Sequence, residues 1–280
     1  MKTHLKALRH GLFNLIEGDM ISSVAAYTGE WSDVEVALFQ ILLNADANVV
    51  EVGSNIGLHA VPLAKAVPQG KLICFEPQRV IFQQLCCNLA LNNITNAYAY
   101  QAGVGGENGI IRIESGDYSE EWNYGCFSLD KGFSTEQAFQ GRIRHEEVEV
   151  VALDSFKPVQ QLNRLDLLKI DAEGYDIPVL QGARETIARF RPAIFIEIQT
   201  ETFADTLSAV HDLGYQAYWF LNNRWQPDNF YGAPEKNFGA DGNLICFPKE
   251  AEIPIGGLLE AVEIDQLERG EVQLVVKLYN

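Results

Sequence analysis

Asn48-Val49-Val50-Glu51-Val52-Gly53-Ser54-Asn55-Ile56-Gly57 is the stretch around which the chain is organised. Val49 to Val52 is β-branched apart from one acid, the composition of a strand buried in a parallel sheet. Gly53 and Gly57 bracket a tight turn, and Leu58 to Val67 continues as an apolar helix. Strand, glycine turn and helix together bring backbone N–H groups up to a polar ligand. The spacing is G-x-x-x-G. A dinucleotide fingerprint requires G-x-G-x-x-G, which Ser54 and Asn55 break, and the G-K-S/T of a phosphate-binding loop is missing. A nicotinamide oxidoreductase is thereby disfavoured.

Two acids narrow the ligand. Glu51 stands two residues before Gly53 and suits a ligand with a positive end. Lys71 to Phe75 reads as the next strand and closes on Glu76-Pro77, where a carboxylate accepts hydrogen bonds from ribose hydroxyls. S-adenosylmethionine combines a ribose with a sulfonium and an amino group, so it is the expected cofactor. The competing reading makes Glu51 and Glu76 surface acids and the glycines an ordinary turn; acids at the ends of two successive strands favour the nucleoside.

The chain has 280 residues, 47% of them hydrophobic, enough for one large α/β domain with embellishments. A net charge of −17 argues against a nucleic-acid or anionic-membrane partner. No apolar run reaches membrane-spanning length, and Met1 to Gly18 lacks a signal-peptide core. The five cysteines (Cys74, Cys86, Cys87, Cys126 and Cys246) show neither C-x-x-C nor metal spacing. A cytoplasmic protein is expected, with a homo-oligomer left open.

Residues 1–47 read as a helical N-terminal cover, because Leu5, Leu8, Leu12 and Leu15, and then Val34, Leu38, Ile41 and Leu42, recur at three- and four-residue spacing. Between them Tyr27-Thr28-Gly29-Glu30-Trp31-Ser32 is an aromatic turn, read as a lid in which Tyr27 touches the cofactor. Residues 48–248 alternate strands with helices: a helix over Val80–Asn92, strands over Ala97–Gln101, Leu165–Ile170 and Ala193–Ile198, helices over Asp154–Leu162, Ile177–Phe190 and Phe203–Leu213, and last strands over Gln216–Leu221 and Leu244–Phe247. Such alternation predicts a doubly wound, mostly parallel α/β sheet. Gln101, Ala102 and Gly103 open a glycine-rich stretch that a ligand base can approach. Ile110–Ile113 and Val148–Ala152 are expected to be strands. The segments Glu114–Glu147 (with the capping box Ser134-x-x-Gln137) and Asn222–Asn243 are long enough to be functional. Their Trp122, Tyr124, Trp225, Phe230 and Tyr231 are expected to form the acceptor wall. Residues 249–280 are an acidic C-terminal extension, a solvated layer or a subunit contact.

Taken together, the motifs resemble the FkbM-type methyltransferase family of S-adenosylmethionine-dependent class I enzymes, over roughly Asp19 to Phe247. The resemblance rests on Tyr27-x-Gly29-Glu30, Val50 to Gly57, Phe75-Glu76-Pro77, Asn88-x-x-x-Asn92 and Leu153-Asp154-Ser155-Phe156. Its most specific piece is Leu168-Lys169-Ile170-Asp171-Ala172-Glu173-Gly174-Tyr175-Asp176, followed by Val179-Leu180-Gln181-Gly182-Ala183. Ser54 stands where the family more often has alanine, and Asp176 where it has glutamate. The resemblance implies a Rossmann-like sheet of seven strands, the last antiparallel. It also implies methyl transfer to oxygen, with a hydroxyl of a sugar or secondary metabolite as small-molecule acceptor.

The expected cofactor contacts are Tyr27, Glu51, Gly53, Ser54, Asn55, Gly57, Glu76, Gln101, Ala102, Gly103 and Asp171. Methyl transfer is an in-line displacement that needs the acceptor held behind the methyl carbon and its proton removed. Strand carboxyl ends line the crevice of a doubly wound sheet, so Lys169, Asp171, Glu173 and Glu197 fall at the site. Asp171 is the first candidate for base or acceptor orienter. Glu173 is the alternative, or else binds backbone amides of its turn; Lys169 pairs with a carboxylate. His145 is a second candidate base because imidazole titrates near neutral pH. Metal chemistry through Asp171, Glu173, Asp176 and Glu197, a structural ion-pair network, and a silent cofactor-binding module are the rival readings.

Overall fold

The computed structural model describes residues 1–275 except 117, 119, 134–138 and 140, so the capping box at Ser134 lies outside the described residues. The chain opens with a hairpin of β1 (Thr3–Leu8) and β2 (Gly11–Ile16), paired antiparallel, followed by α1 (Met20–Thr28) and α2 (Asp33–Leu42). This corrects the helical reading of the first sixteen residues. Phe13 and Leu15 alternate inward while Leu5 and Leu12 stay exposed, which is the two-residue period of a strand. The hairpin is fixed from outside. Asn88 accepts the Asn14 backbone N–H at 2.7 Å and Gln84 accepts the Asn14 side-chain amide at 2.8 Å, contacts 70 and more residues away that no local leucine spacing reports.

The main layer follows: β3 (Asn48–Val52), α3 (Ala60–Ala66), β4 (Lys71–Phe75), α4 (Arg79–Leu91) and β5 (Ala97–Tyr100). A side sheet of β6 (Gly103–Val104), β7 (Gly109–Ser115) and β8 (Arg144–Val151) interrupts it. Then come α5 (Lys157–Gln160), β9 (Leu167–Ile170), α6 (Asp176–Gln181), α7 (Arg184–Phe190), β10 (Ala193–Glu197), α8 (Phe203–Asp212), β11 (Tyr215–Asn223) and β12 (Ala240–Pro248). Among the described residues seven strands form one sheet in the order β5-β4-β3-β9-β10-β12-β11. β3 pairs in parallel with β4 and β9, and β12 runs antiparallel to both β10 and β11. The fold is the α/β, mostly parallel, Rossmann-like sheet with its last strand reversed. Every residue of β3 is buried, as a central parallel strand covered on both faces requires.

Two helices differ from expectation. Asp154–Leu162 is helical only over Lys157–Gln160. The predicted helix Ile177–Phe190 breaks at Gly182-Ala183, because a side chain at 182 would stand 2.0 Å from the Gly105 carbonyl oxygen. The Asp154 carboxylate caps the second half, accepting the N–H groups of Glu185 (3.0 Å) and Thr186 (2.7 Å). The acidic extension is more than a solvated layer. It runs along the outer strand β11, with Trp219 N–H donating to the Leu259 carbonyl and Ala261 N–H to the Ala217 carbonyl, both at 2.9 Å.

Candidate functional site

The glycine turn leaves β3 at the middle of the sheet's carboxyl edge. Gly53 adopts φ +77° and Asn55 +48°, and the N–H groups of Gly53 and Ser54 both donate to the Phe75 carbonyl at 3.0 Å. A Cβ on Gly53 would stand 1.8 Å from the Asp171 carbonyl oxygen. Only glycine lets β3 and β9 end side by side here. Gly57 turns the chain into α3, with its N–H on the Ser54 carbonyl at 2.9 Å.

Two chambers meet over this edge. The first, ≈ 600 Å³ with its open mouth, is lined by Phe75, Glu76, Gln78, Ala102, Gly103, Val104, Phe127 and Leu129. The second, ≈ 710 Å³, is lined by Trp31, Glu35, Glu51, Ser54, His59, Lys169, Glu197, Arg224 and Asp241. Ile21, Gly53, Asn55, Asp171 and Glu173 line both, so the two chambers share a wall.

The first chamber fits a nucleoside. Glu76 is 4% exposed, and its two oxygens accept the N–H groups of Asn55 (3.0 Å) and Gln78 (2.9 Å). Each carboxylate oxygen keeps a lone pair for a ribose hydroxyl. Burial pushes the carboxyl up to about 8, against the two amides that pull it down. At position 103 a Cβ would meet the Leu129 side chain at 2.7 Å, so the glycine preserves space beside Ala102. Gln78 is itself fixed by Tyr118, whose hydroxyl donates to its side-chain oxygen at 3.1 Å.

Charge collects in the second chamber. Lys169 is buried, with its ammonium 3.0 Å from Asp171 and 4.0 Å from Glu51. Burial alone would lower its pKa, but Asp171, Glu51 and Glu35 outweigh that and hold it above the usual lysine range. Glu51 rises through burial despite Lys169. After β9 the chain turns sharply, Glu173 at φ +50° and Gly174 at φ +88°. Asp176, raised by burial to about 6, holds that turn by accepting the N–H groups of Ala172 and Gly174, both at 3.1 Å. Asp176 thus holds amides of the turn in which Glu173 stands. Glu197, also raised by burial and by Glu173 and Asp171, accepts the Gln199 amide at 3.1 Å. Asp171, Glu173 and Glu197 offer oxygens within 4.8 Å of one another, a set with the chemistry to bind a divalent cation. Asp176 stays outside it.

Several expected residues lie elsewhere. Tyr27 sits in α1 with its hydroxyl on the Pro234 carbonyl (3.2 Å) and its ring on Phe238, lining neither chamber. Gln101 is exposed beside the chamber that Ala102 and Gly103 line. His145 is exposed on β8, opposite Glu114 in the side sheet. The aromatic wall is also corrected. Trp122 and Tyr124 are buried among Phe133, Phe139 and Tyr118, because Trp122 N–H binds the Gly18 carbonyl and draws the segment onto α1. Phe230 and Tyr231 pack against Arg9 and Lys6 of the hairpin. Only the loop's ends, through Arg224, Asp241 and Asn243, reach the second chamber. Sequence reading missed Glu35, His59, Gln78 and Arg224. A signal existed for two of them: Glu35 and His59 are polar residues set inside the apolar runs Val34–Leu38 and Leu58–Val61, where a charge or imidazole has to face something polar.

Comparison with known proteins agrees with this geometry. A family described as "Methyltransferase FkbM domain" matches residues 51–217. The chain is 30% identical over 147 residues to Methyltransferase 1 of Beauveria bassiana, covering 49% of this chain and 58% of that protein. It is 31% identical over 197 residues to Methyltransferase sdnD of Sordaria araneosa, covering 61% and 76%. With the 2-O-methyltransferase NoeI of Sinorhizobium fredii it shares 25% over 162 residues, covering 55% and 64%. The match thus spans less than two thirds of the length of two of these three relatives. The chain belongs to the FkbM methyltransferase family, and S-adenosylmethionine is its cofactor.

Proposed function

We propose that the protein transfers the methyl group of S-adenosylmethionine to a hydroxyl of a small molecule, a sugar or a secondary metabolite. The observation that carries this reading is the junction of the two chambers. The first is lined by the buried carboxylate of Glu76, the second is polar, and Gly53, Asn55, Asp171 and Glu173 line both. Bound S-adenosylmethionine supplies an electrophilic methyl carbon. The residues of this chain supply the rest: Glu76 binds the ribose, the strand-end carboxylates face the cationic end, and Asp171 orients the acceptor hydroxyl. With Lys169 already 3.0 Å from one Asp171 oxygen, that carboxylate suits orientation better than uptake of a proton. Transfer to oxygen is supported by the name of the Sinorhizobium relative. The net charge of −17 favours a small acceptor over a nucleic acid. Five free cysteines suit a reducing compartment such as the cytoplasm.

The test is methyl transfer from tritiated S-adenosylmethionine into a small-molecule extract of the source organism. Label is expected in an alkali-stable methyl ether. Tight S-adenosylhomocysteine binding without transfer would identify a silent binding module instead.

Cofactor binding should also depend on pH through Glu76. Its carboxyl is held near 8 by burial, so below that pH it is largely protonated in the free protein. Ribose hydroxyls favour the ionised form. Binding at pH 7 is therefore expected to release a proton, and S-adenosylhomocysteine affinity to rise from pH 6 to pH 8 by up to about tenfold per unit. Calorimetry in buffers of different ionisation enthalpy measures both. Glu76→Gln should flatten the slope; a slope that survives it assigns the proton elsewhere.

A further inference from the structure

Glu35 and His59 are absent from the cofactor chamber and unused so far. Both line the second chamber and both are buried, at 4% and 8% exposure. One Glu35 oxygen accepts the Asn243 side-chain amide at 3.1 Å. The other faces His59 Nε2 at 3.6 Å. That nitrogen has no hydrogen-bond partner among the described residues. A buried polar atom without a partner is costly, and here it confronts a carboxylate oxygen just beyond bonding distance. One hydroxyl can touch both. The surroundings fit a proton acceptor. Burial raises the Glu35 carboxyl well above its usual range, Asp241 adding to this and Lys169 opposing. Burial lowers His59 well below its usual value, with Lys169 and His10 reinforcing. An acid with a raised pKa is a stronger base toward a hydroxyl than an exposed glutamate.

We propose that Glu35 is the catalytic base that takes the acceptor's proton, and that His59 is its positioning residue. This rests on the second chamber being the acceptor's. As the acceptor oxygen forms its bond to the methyl carbon, the sulfur–methyl bond breaks and its electron pair stays on sulfur. The hydroxyl proton passes to Glu35, and neutral S-adenosylhomocysteine leaves. Asp171 remains the orienter where the two chambers meet.

Two measurements test the assignment. In turnover, Glu35→Gln should lower kcat by about 10²–10⁴ and remove the acid limb of the pH profile, with S-adenosylhomocysteine affinity unchanged. His59→Asn should lower kcat less and move the midpoint of that limb, and His59→Gln, which returns a longer polar side chain toward Glu35, should move it part of the way back. An unmoved pH profile in either variant would overturn the proposal and leave the pair as packing. The second measurement needs no acceptor. NMR of ¹³C-carboxyl-labelled glutamate in the protein bound to S-adenosylhomocysteine should show Glu35 titrating above 4.5 and displaced by His59→Asn. A carboxyl titrating in the ordinary range, or indifferent to His59, overturns it as well. Failure of wild-type methyl transfer with a displaced Glu35 titration would count against the hydroxyl reading alone.

Discussion

Asp171→Asn should lower methyl transfer by about 10²-fold or more while S-adenosylhomocysteine affinity changes by a few-fold at most. The substitution keeps the side chain's shape and removes its charge. One carboxylate oxygen is held by Lys169 at 3.0 Å, and the side chain is 38% exposed at the junction of the two chambers. Its effect is therefore on the placement of the acceptor oxygen behind the methyl carbon, and misplacement by an ångström is enough for a hundredfold loss. Steady-state rates against acceptor concentration, with calorimetry for the cofactor, read this directly. The same experiment run on wild type in the presence of a chelator addresses the cluster of Asp171, Glu173 and Glu197. Loss of activity restored by magnesium would give Asp171 to a cation rather than to the acceptor. A fully active, chelator-resistant Asp171→Asn enzyme would remove it from both roles.

The largest expected loss of stability is at Lys169. The residue is 1% exposed, and its ammonium offsets Asp171 and Glu51 from inside the sheet. Lys169→Met leaves buried carboxylates without a counter-charge, which costs about 3–5 kcal/mol and lowers Tm by about 5–9 °C. The sign with pH follows from linkage. In wild type the lysine's pKa is raised, so its stabilisation is complete at neutral pH and fades only in strong alkali. In the variant Glu51 and its neighbours escape the penalty by binding protons, so the deficit should be large at pH 8 and smaller at pH 5. Thermal melts across that range measure it. A deficit that grows toward acid would mean that the carboxylates are solvated rather than buried.

The parts of the site visible in the sequence are those built from short segments. Val49 to Gly57 and Phe75-Glu76-Pro77 are strands, each ending at a turn, and their geometry is decided within ten residues. Asp171 to Asp176 is similar, although reading could not tell which acid holds the turn. Asp176 holds it by accepting the Ala172 and Gly174 amides, while Glu173 takes the left-handed backbone conformation within the turn. Residues 1–16 were misread because a leucine spacing of three and four satisfies a helix, while the partners that fix the hairpin, Gln84 and Asn88, lie far along the chain. The second chamber was hidden for the same reason. Glu35, His59, Arg224 and Asp241 come from α2, the start of α3 and the strands flanking the long loop, and only the closed sheet brings them together. Aromatic residues misled in the other direction. Trp122 and Tyr124 suggested a stacking surface, yet buried rings fill space wherever a long connection has to pack.

The acidic extension along β11 has a consequence for how copies of the protein meet. An outermost strand with free amides and carbonyls is a template on which another chain can add, and proteins guard against this by covering the edge or charging it. Here one segment does both. Residues 259–261 bond to the β11 backbone, Val275 N–H reaches the Leu221 carbonyl at 2.7 Å, and Trp219 is pinned through its indole nitrogen to Gln266 at 2.9 Å. Glu252, Glu260, Glu263, Asp265, Glu268 and Glu271 give this segment a net negative charge, although Arg269 pairs with Glu263 and Glu271. Strand addition at this edge is thus opposed by occupancy and, more weakly, by the segment's net charge, and screening by salt weakens only the second.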